Sequence, residues 1–268
     1  MNISVPLEVS TPDLASYDVI LINSSAGKDS QAMLTHVVEQ CDAAGVGRWR
    51  IIVVHADLGR VEWPGTLDLA RRHAEAYGLY FEVVRRELGD LLDQIAQRGK
   101  FPSATARYCT SDHKTAQVAK LMTRLAKAHR RRNPSTLFRP IRILNCLGIR
   151  AEESHARAKK VPFGPDKAAT NSRRIVDRWL PIFTWTQDQV WTTIRRSGLP
   201  HHPAYDLGMP RLSCVFCVLA GSKELVLAAQ HNPALAEEYA AVEQRIGHTF
   251  KADLSMAEIL RRAKEPVR

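Results

Sequence analysis

Val19-Ile20-Leu21-Ile22-Asn23-Ser24-Ser25-Ala26-Gly27-Lys28-Asp29-Ser30 is the stretch that decides the fold of this chain. Its first four residues form an unbroken apolar run, which reads as a strand buried on both faces. Small residues follow, and Gln31 to Gln40 then carries Met33, Leu34, Val37 and Val38 at helical spacing. Strand, small-residue turn and helix in that order make an anion-binding arrangement. The N–H groups of such a turn converge on phosphate oxygens, and the helix adds the positive end of its dipole. Lys28 contributes a charge, and the serine hydroxyls contribute donors. Asp29 suits a helix cap or a ligand for Mg²⁺ better than a direct phosphate contact, because carboxylate and phosphate repel. The spacing departs from the Walker loop G-x-x-x-x-G-K-S/T, since Asp29 follows Gly27-Lys28 and no glycine lies five positions before Gly27.

Outward from this loop the pattern repeats. Ile51 to Val54, Phe81 to Val84 and Ile141 to Cys146 read as strands, with helical stretches from Pro64 to Tyr77 and from Leu88 to Gln97. Strands separated by helices imply right-handed crossovers, so the expected fold is a doubly wound α/β domain with a mainly parallel sheet. Arg130-Arg131-Arg132-Asn133-Pro134 closes a helix, and Lys159 to Arg174 reads as a basic, mobile excursion. After Pro200 the composition changes to His201-His202-Pro203, a cysteine pair and an alanine-rich helical stretch from Leu225 to Ile246. The expected organisation is a nucleotide-binding domain over 1–198 and a helical, cysteine-containing extension over 199–268.

The chain has 268 residues, 45% of them hydrophobic and 25% charged, with a formal net charge of +10. That surplus exceeds what one ATP needs and favours a polyanionic partner. No apolar run is long enough to cross a bilayer, so no membrane role is expected. No secretory signal is recognisable, and an odd number of cysteines argues for thiol or metal chemistry in a reducing compartment. The expected location is the cytoplasm.

The loop is similar to the S-G-G-x-D-S signature of the PP-loop ATP pyrophosphatases, with Ala26 standing at the first glycine. Further segments resemble the phosphoadenylylsulfate (PAPS) reductases, in the same order along about residues 18 to 220. His55-Ala56-Asp57-Leu58-Gly59 resembles their H-x-D-T-G element. Gly148-Ile149-Arg150-Ala151-Glu152-Glu153-Ser154 with Arg157 resembles G-x-R-x-x-E-S-x-x-R, and Pro181-Ile182 with Trp185 to Trp191 resembles the tryptophan-containing stretch after it. The resemblance implies an adenine nucleotide alpha hydrolase-like fold and ATP split between its α and β phosphates. It places Ser24 to Ser30, His55, Asp57, Gly148, Arg150, Glu153 and Arg157 around the nucleotide, with Lys28, Asp29 and Arg150 as catalytic groups. Asp57, at a strand end, suits a Mg²⁺ or nucleotide contact and a turn cap equally well.

Cys214-Val215-Phe216-Cys217 has the spacing that lets two thiolates reach one metal centre. Arg107-Tyr108-Cys109-Thr110, with Lys114, resembles a cluster-binding region of the same family, though Thr110 replaces the second cysteine of its pair. The resemblance thus implies three ligands to a 4Fe–4S cluster, Cys109, Cys214 and Cys217, with Cys146 as the candidate fourth. Zinc held by the three cysteines and His113 or His202 is an alternative, as is a metal-free redox pair.

Sulfonucleotide reductases of this kind attack with a cysteine in an E-C-G-I/L-H element, and no cysteine follows Cys217 in this sequence. Relatives without that cysteine include the ATP-pyrophosphatase subunits of DNA phosphorothioation systems and ATP-dependent tRNA thiolases, so the resemblance implies an ATP pyrophosphatase that activates nucleic acid for sulfur insertion, DNA backbone phosphorothioation before tRNA thiolation. Arg130 to Arg132, Lys159, Lys160, Arg173 and Arg174 are the candidate nucleic-acid surface. A cysteine desulfurase and other sulfur-modification subunits are the implied partners. The alternatives are a reductase of phosphoadenylyl or adenylyl sulfate and a non-catalytic nucleotide-binding component of a defence complex.

Overall fold

The computed structural model describes residues 10–265. In chain order it contains β1 (Val19–Asn23), α1 (Lys28–Ala43), β2 (Ile51–Asp57), α2 (Thr66–Ala76), β3 (Tyr80–Arg85), α3 (Leu91–Arg98) and the single turn α4 (Tyr108–Thr110). A π-helical turn (Ser111–Thr115) leads into α5 (Ala116–Arg132), followed by β4 (Ile141–Cys146), α6 (His155–Ala158), β5 (Phe163–Pro165) and β6 (Arg174–Trp179). The remaining helices are α7 (Gln187–Ser197), α8 (Ser222–His231), α9 (Pro233–Ile246) and α10 (Met256–Ala263).

The strands form one sheet in the order β3-β2-β1-β4-β6-β5. β1 pairs parallel with β2 and with β4, and β4 pairs parallel with β6, whereas the short β5 closes the edge antiparallel to β6. The order turns back at β1, so the crevice between the carboxyl ends of β1 and β4 is the topological switch point where α/β sheets bind ligands. The mainly parallel α/β sheet matches the expected class.

Two features depart from the sequence reading. Lys159 to Arg174 is no simple excursion: it contains β5 and the first residue of β6, and Arg174 is buried. The alternation in Arg174-Ile175-Val176-Asp177-Arg178-Trp179 is masked because charged residues occupy inward-facing as well as outward-facing places. The alanine-rich stretch is two helices, since Pro233 lacks the N–H that would continue α8 and instead opens α9 at its first turn.

The chain divides into two compact units. The first comprises the described residues through His55, with Leu67–Val83 and Val118–His202. Its core is built from β1, β2, β4 and β6 with α1 and α7, and includes Ile20, Ile22, Met33, Val37, Trp179 and Val190. The second comprises Ala56–Thr66, Val84–Gln117 and the described residues from Pro203 onward. Its core joins Leu58, Val61 and Trp63 to Leu92, Ile95, Phe216, Tyr239 and Phe250. The second unit includes the described residues from Pro203 onward, four positions after the boundary expected at 199. Two earlier segments also belong to the second unit, because their apolar side chains pack with its helices.

Candidate functional site

The loop is built from β1 outward. The Asn23 side chain donates to Asn145 Oδ1 (2.7 Å) and to the Cys146 carbonyl (3.0 Å), tying the carboxyl ends of β1 and β4 together at the switch point. Sequence reasoning passed over this pair, although an asparagine at the end of each of two apolar runs was the available signal. His55, 1% exposed, lies within hydrogen-bonding distance of the Ser24 carbonyl through Nδ1 (2.9 Å) and so holds the first loop residue. Ser30 Oγ donates to the Gly27 carbonyl (2.9 Å) and accepts from the Ser25 N–H (3.1 Å), closing the turn on itself. Ala26 is buried at φ +54°, a left-handed conformation that costs an L-residue on the order of 1–2 kcal/mol.

Gly27 precedes the helix without a side-chain cap, so Asp29 is not the cap that its sequence position suggested. It lies in the first turn of α1, where its Oδ1 accepts from Arg150 Nε (2.6 Å). Arg150, 3% exposed, also donates through Nη1 to Glu152 and to the Trp185 carbonyl (3.2 Å). Burial opposes its charge, but Asp29, Glu152 and Glu153 outweigh that and hold the guanidinium above its ordinary value. Glu153 accepts from the Arg150 N–H (3.0 Å) and pairs with Arg157, which is the more exposed of the two arginines. Arg150 is thus a buried brace between the segment after β4 and the start of α1, not a donor standing open to a ligand. Gly148 explains its own identity. A Cβ there would sit 3.0 Å from the carbonyl carbon and oxygen of Asp29 and from the Ser30 nitrogen, so the backbone of α1 would have to move to admit it. Lys28, 2% exposed, begins α1, its ammonium 3.9 Å from Asp29 Oδ2.

In the second unit, Asp57 Oδ1 accepts from the Gly59 N–H (2.7 Å), while Oδ2 pairs with Arg85. Of the two roles open to Asp57, the turn cap is realised, with a salt bridge added. Arg85 had not been foreseen; in sequence it is one basic residue after a strand.

The cysteines separate into two groups. Cys214 is held by an antiparallel bridge to Glu62 and by a hydrogen bond from the Val215 N–H to the Val61 carbonyl (2.8 Å). Burial pushes its thiol up to about 12, Lys114 draws it down, and Cys217 and Cys109 raise it further, so the three sulfurs share one electrostatic neighbourhood. Cys109 and Lys114 flank and occupy the π-helical turn, a distortion common at functional sites. Among the described residues, no three His, Cys, Asp or Glu side chains converge as a single metal ion requires. His113 is buried, its Nε2 2.9 Å from Gln94 Oε1 and its Nδ1 without a hydrogen-bond partner among the described residues. His202 belongs to the first unit. Three thiols in one unit are the donor chemistry an iron–sulfur cluster takes. Cys146 is wholly buried in the core of the first unit beside Cys41, where burial raises its thiol well above the ordinary value. It is a core residue and not a fourth ligand.

A self-closed, uncapped loop at the switch point of a mainly parallel sheet defines a phosphate-binding α/β protein. The phosphoadenosine phosphosulfate reductase domain family matches residues 19–220, and the chain belongs to that family. An uncharacterised 37.8 kDa protein of Escherichia phage 186 is 27% identical over 61% of this chain and 47% of its own length. An adenosine 5′-phosphosulfate reductase of Allochromatium vinosum is 29% identical over 58% of this chain and 57% of its own. The chain thus spans about half the length of these curated relatives. A U34-tRNA thiolase of Methanococcus maripaludis, solved with its 4Fe–4S cluster, superposes with a TM-score of 0.47 at 14% identity, covering 89% of this chain and 74% of its own. The assignment rests on the family match. Among the described residues, no helix is long and apolar enough to cross a membrane.

Proposed function

We propose that this chain is an ATP pyrophosphatase that activates nucleic acid for sulfur insertion, with the DNA backbone as the preferred acceptor. The observation that carries the reading is the loop Ser24–Ser30 at the switch point, with Gly148 packed on its helix start and the Arg150–Asp29 pair bracing it. The net charge of +10 supports a polyanionic acceptor over a small one.

Mg-ATP enters as the substrate complex. The loop N–H groups and the amino end of α1 hold phosphate oxygens, and Lys28 adds positive charge at that end. An acceptor oxygen attacks the α-phosphorus, the bond to the β-phosphate oxygen breaks, and its electron pair leaves with pyrophosphate. A non-bridging phosphate oxygen is already anionic and needs no general base. A sulfur nucleophile then displaces AMP from the adenylylated acceptor, and a cysteine desulfurase in the cytoplasm is the proposed sulfur source. Cys109, Cys214 and Cys217 would hold a 4Fe–4S cluster, which would supply an iron without a protein thiolate for sulfur to bind. Arg150 and Asp29 keep α1 registered on the segment after β4, and Gly148 lets the two backbones approach.

The second reading is a thiol-dependent reductase of a sulfonucleotide, favoured by the 29% identity to an adenosine 5′-phosphosulfate reductase. Anaerobically purified protein incubated with labelled adenylyl sulfate and reduced thioredoxin separates the two. The proposed function predicts no labelled sulfite above background; sulfite released at enzymatic rates would replace it with the reductase.

A further inference from the structure

A cavity of about 380 Å³ opens in the first unit between the carboxyl end of α5 and the segment leading into β6. It lies at the amino edge of the sheet, where Ile141 of β4 pairs with Arg174 of β6. The phosphate loop leaves the carboxyl edge of β1, parallel to β4, so one strand length of roughly 20 Å separates the two levels. This cavity is therefore a different place from the loop.

Five of its nine lining side chains are cations, Lys127, Arg130, Arg131, Arg173 and Arg174, and none is a carboxylate. The carboxyl end of a helix favours cations, which accounts for Arg130 and Arg131 on α5. It does not account for Arg174, a β6 residue only 6% exposed. That guanidinium donates to the Ala169 carbonyl (2.7 Å), the Ala119 carbonyl (3.0 Å) and Thr123 Oγ1, all of them neutral. Burial lowers its pKa, with no carboxylate to offset the cost. Arg130 likewise spends Nη2 on the Arg139 carbonyl (2.8 Å), and its buried Nε has no partner among the described residues. An anion entering the cluster would offset this buried positive charge. Leu137 adds an apolar wall, and the next residue, Phe138, is 97% exposed, leaving its ring open to solvent.

We infer that this cavity is a docking site for an unpaired nucleic-acid strand, seating a backbone phosphate among the five cations and a base against Leu137 and Phe138. Cationic grooves beside exposed aromatic rings bind single strands in this way, the phosphates giving affinity and the ring stacking a base. The inference rests on the reading that the acceptor is nucleic acid, and it assigns that acceptor a footprint away from the ATP loop.

The test is fluorescence anisotropy with labelled single-stranded DNA, the same sequence as RNA, and the duplex, between about 50 and 200 mM salt. The triple variant Lys127→Ala/Arg131→Ala/Arg173→Ala removes exposed charges only. It is expected to bind either single strand on the order of 10- to 100-fold more weakly, with a salt slope lower by about two. Arg195→Ala/Lys223→Ala/Arg245→Ala removes the same charge elsewhere and should bind within about twofold of wild type. Phe138→Ala should lose about tenfold on single strands with the salt slope unchanged. Both triples should keep the wild-type melting temperature and ATP affinity. Equal losses in the two triples would overturn the inference, as would a basic triple that binds like wild type, or displacement by polyglutamate but not by oligonucleotide. If wild type binds strands through this cavity yet releases no pyrophosphate from ATP, the inference stands and the proposed activity fails. Strand-dependent pyrophosphate release that is unchanged in the basic triple, with strand binding as in wild type, would overturn the inference and leave the activity standing.

Discussion

Ala26 occupies, at φ +54°, a position where glycine would be unstrained. Ala26→Gly should relieve the left-handed strain of about 1–2 kcal/mol and return part of it as unfolded-chain entropy, for a net gain of about 0.5–1 kcal/mol. Urea unfolding reads this directly, and a loss of stability would show that the loop depends on the alanine methyl. The Asp29–Arg150 contact is the second residue-scale feature. With side chains 17% and 3% exposed, removing one partner strands a charge, and Asp29→Asn should cost about 3 kcal/mol. A double-mutant cycle with Arg150→Met should recover most of that loss, and additive losses would contradict the brace. The loop was legible because small residues, Lys28 and a flanking strand occur in one order. The role of Asp29 was not, because its partner lies 121 positions away and no local pattern encodes it.

Among the elements, β1 and β2 were readable from uninterrupted apolar runs, β3 and β4 from apolar runs broken by one charge each (Glu82, Arg142), and α1 from its spacing. β6 was not, because Asp177 accepts from Tyr17 Oη (2.8 Å) and Arg174 is buried by hydrogen bonds, so neither behaves as its charge suggests. The close approach of the segment after β4 to α1 gives an element-scale prediction. Gly148→Ala places a methyl 3.0 Å from backbone atoms, and separating those elements should cost about 1–3 kcal/mol and weaken ATP binding by isothermal titration. Wild-type affinity in that variant would mean the loop can shift freely. At the start of β1, Asp18 takes a bidentate pair from Arg139 (2.6 and 2.7 Å) and the Arg142 N–H (2.8 Å). Burial alone would raise its pKa, but these donors outweigh it and hold the carboxyl below its ordinary value. Its contribution is therefore present above the unfolded pKa of about 3.9 and is lost as pH falls through the lower folded value. Asp18→Asn should remove about 1–2 kcal/mol at neutral pH, discounted for the half-exposed Arg139, and flatten the acid limb of the stability curve.

At the scale of the whole molecule, four histidines are held neutral by burial. His36, His73, His113 and His129 all titrate below the ordinary value of 6.5. The unfolded chain then binds more protons than the folded one below pH 6.5. Stability is full above that value and falls as pH drops toward the folded pKa values, by up to about 1.4 kcal/mol per unit for each proton taken up. His73→Gln keeps a donor for the Pro200 carbonyl and should remove one proton from that slope in urea unfolding between about pH 7 and 5. An unchanged slope would mean His73 titrates normally. The second unit was half legible: its cysteines and helices stood out, but nothing local shows that Ala56–Thr66 and Val84–Gln117 join residues beyond 203. The central claim is that the loop splits ATP between its α and β phosphates for a nucleic-acid acceptor. The direct measurement is pyrophosphate release from Mg-ATP by anaerobically purified wild type and Lys28→Ala, with single-stranded DNA and a sulfur donor present. The account predicts release that requires the strand and falls at least tenfold in Lys28→Ala, by analogy with loss of one transition-state donor. No pyrophosphate from wild type under those conditions, or release indifferent to Lys28, would contradict it.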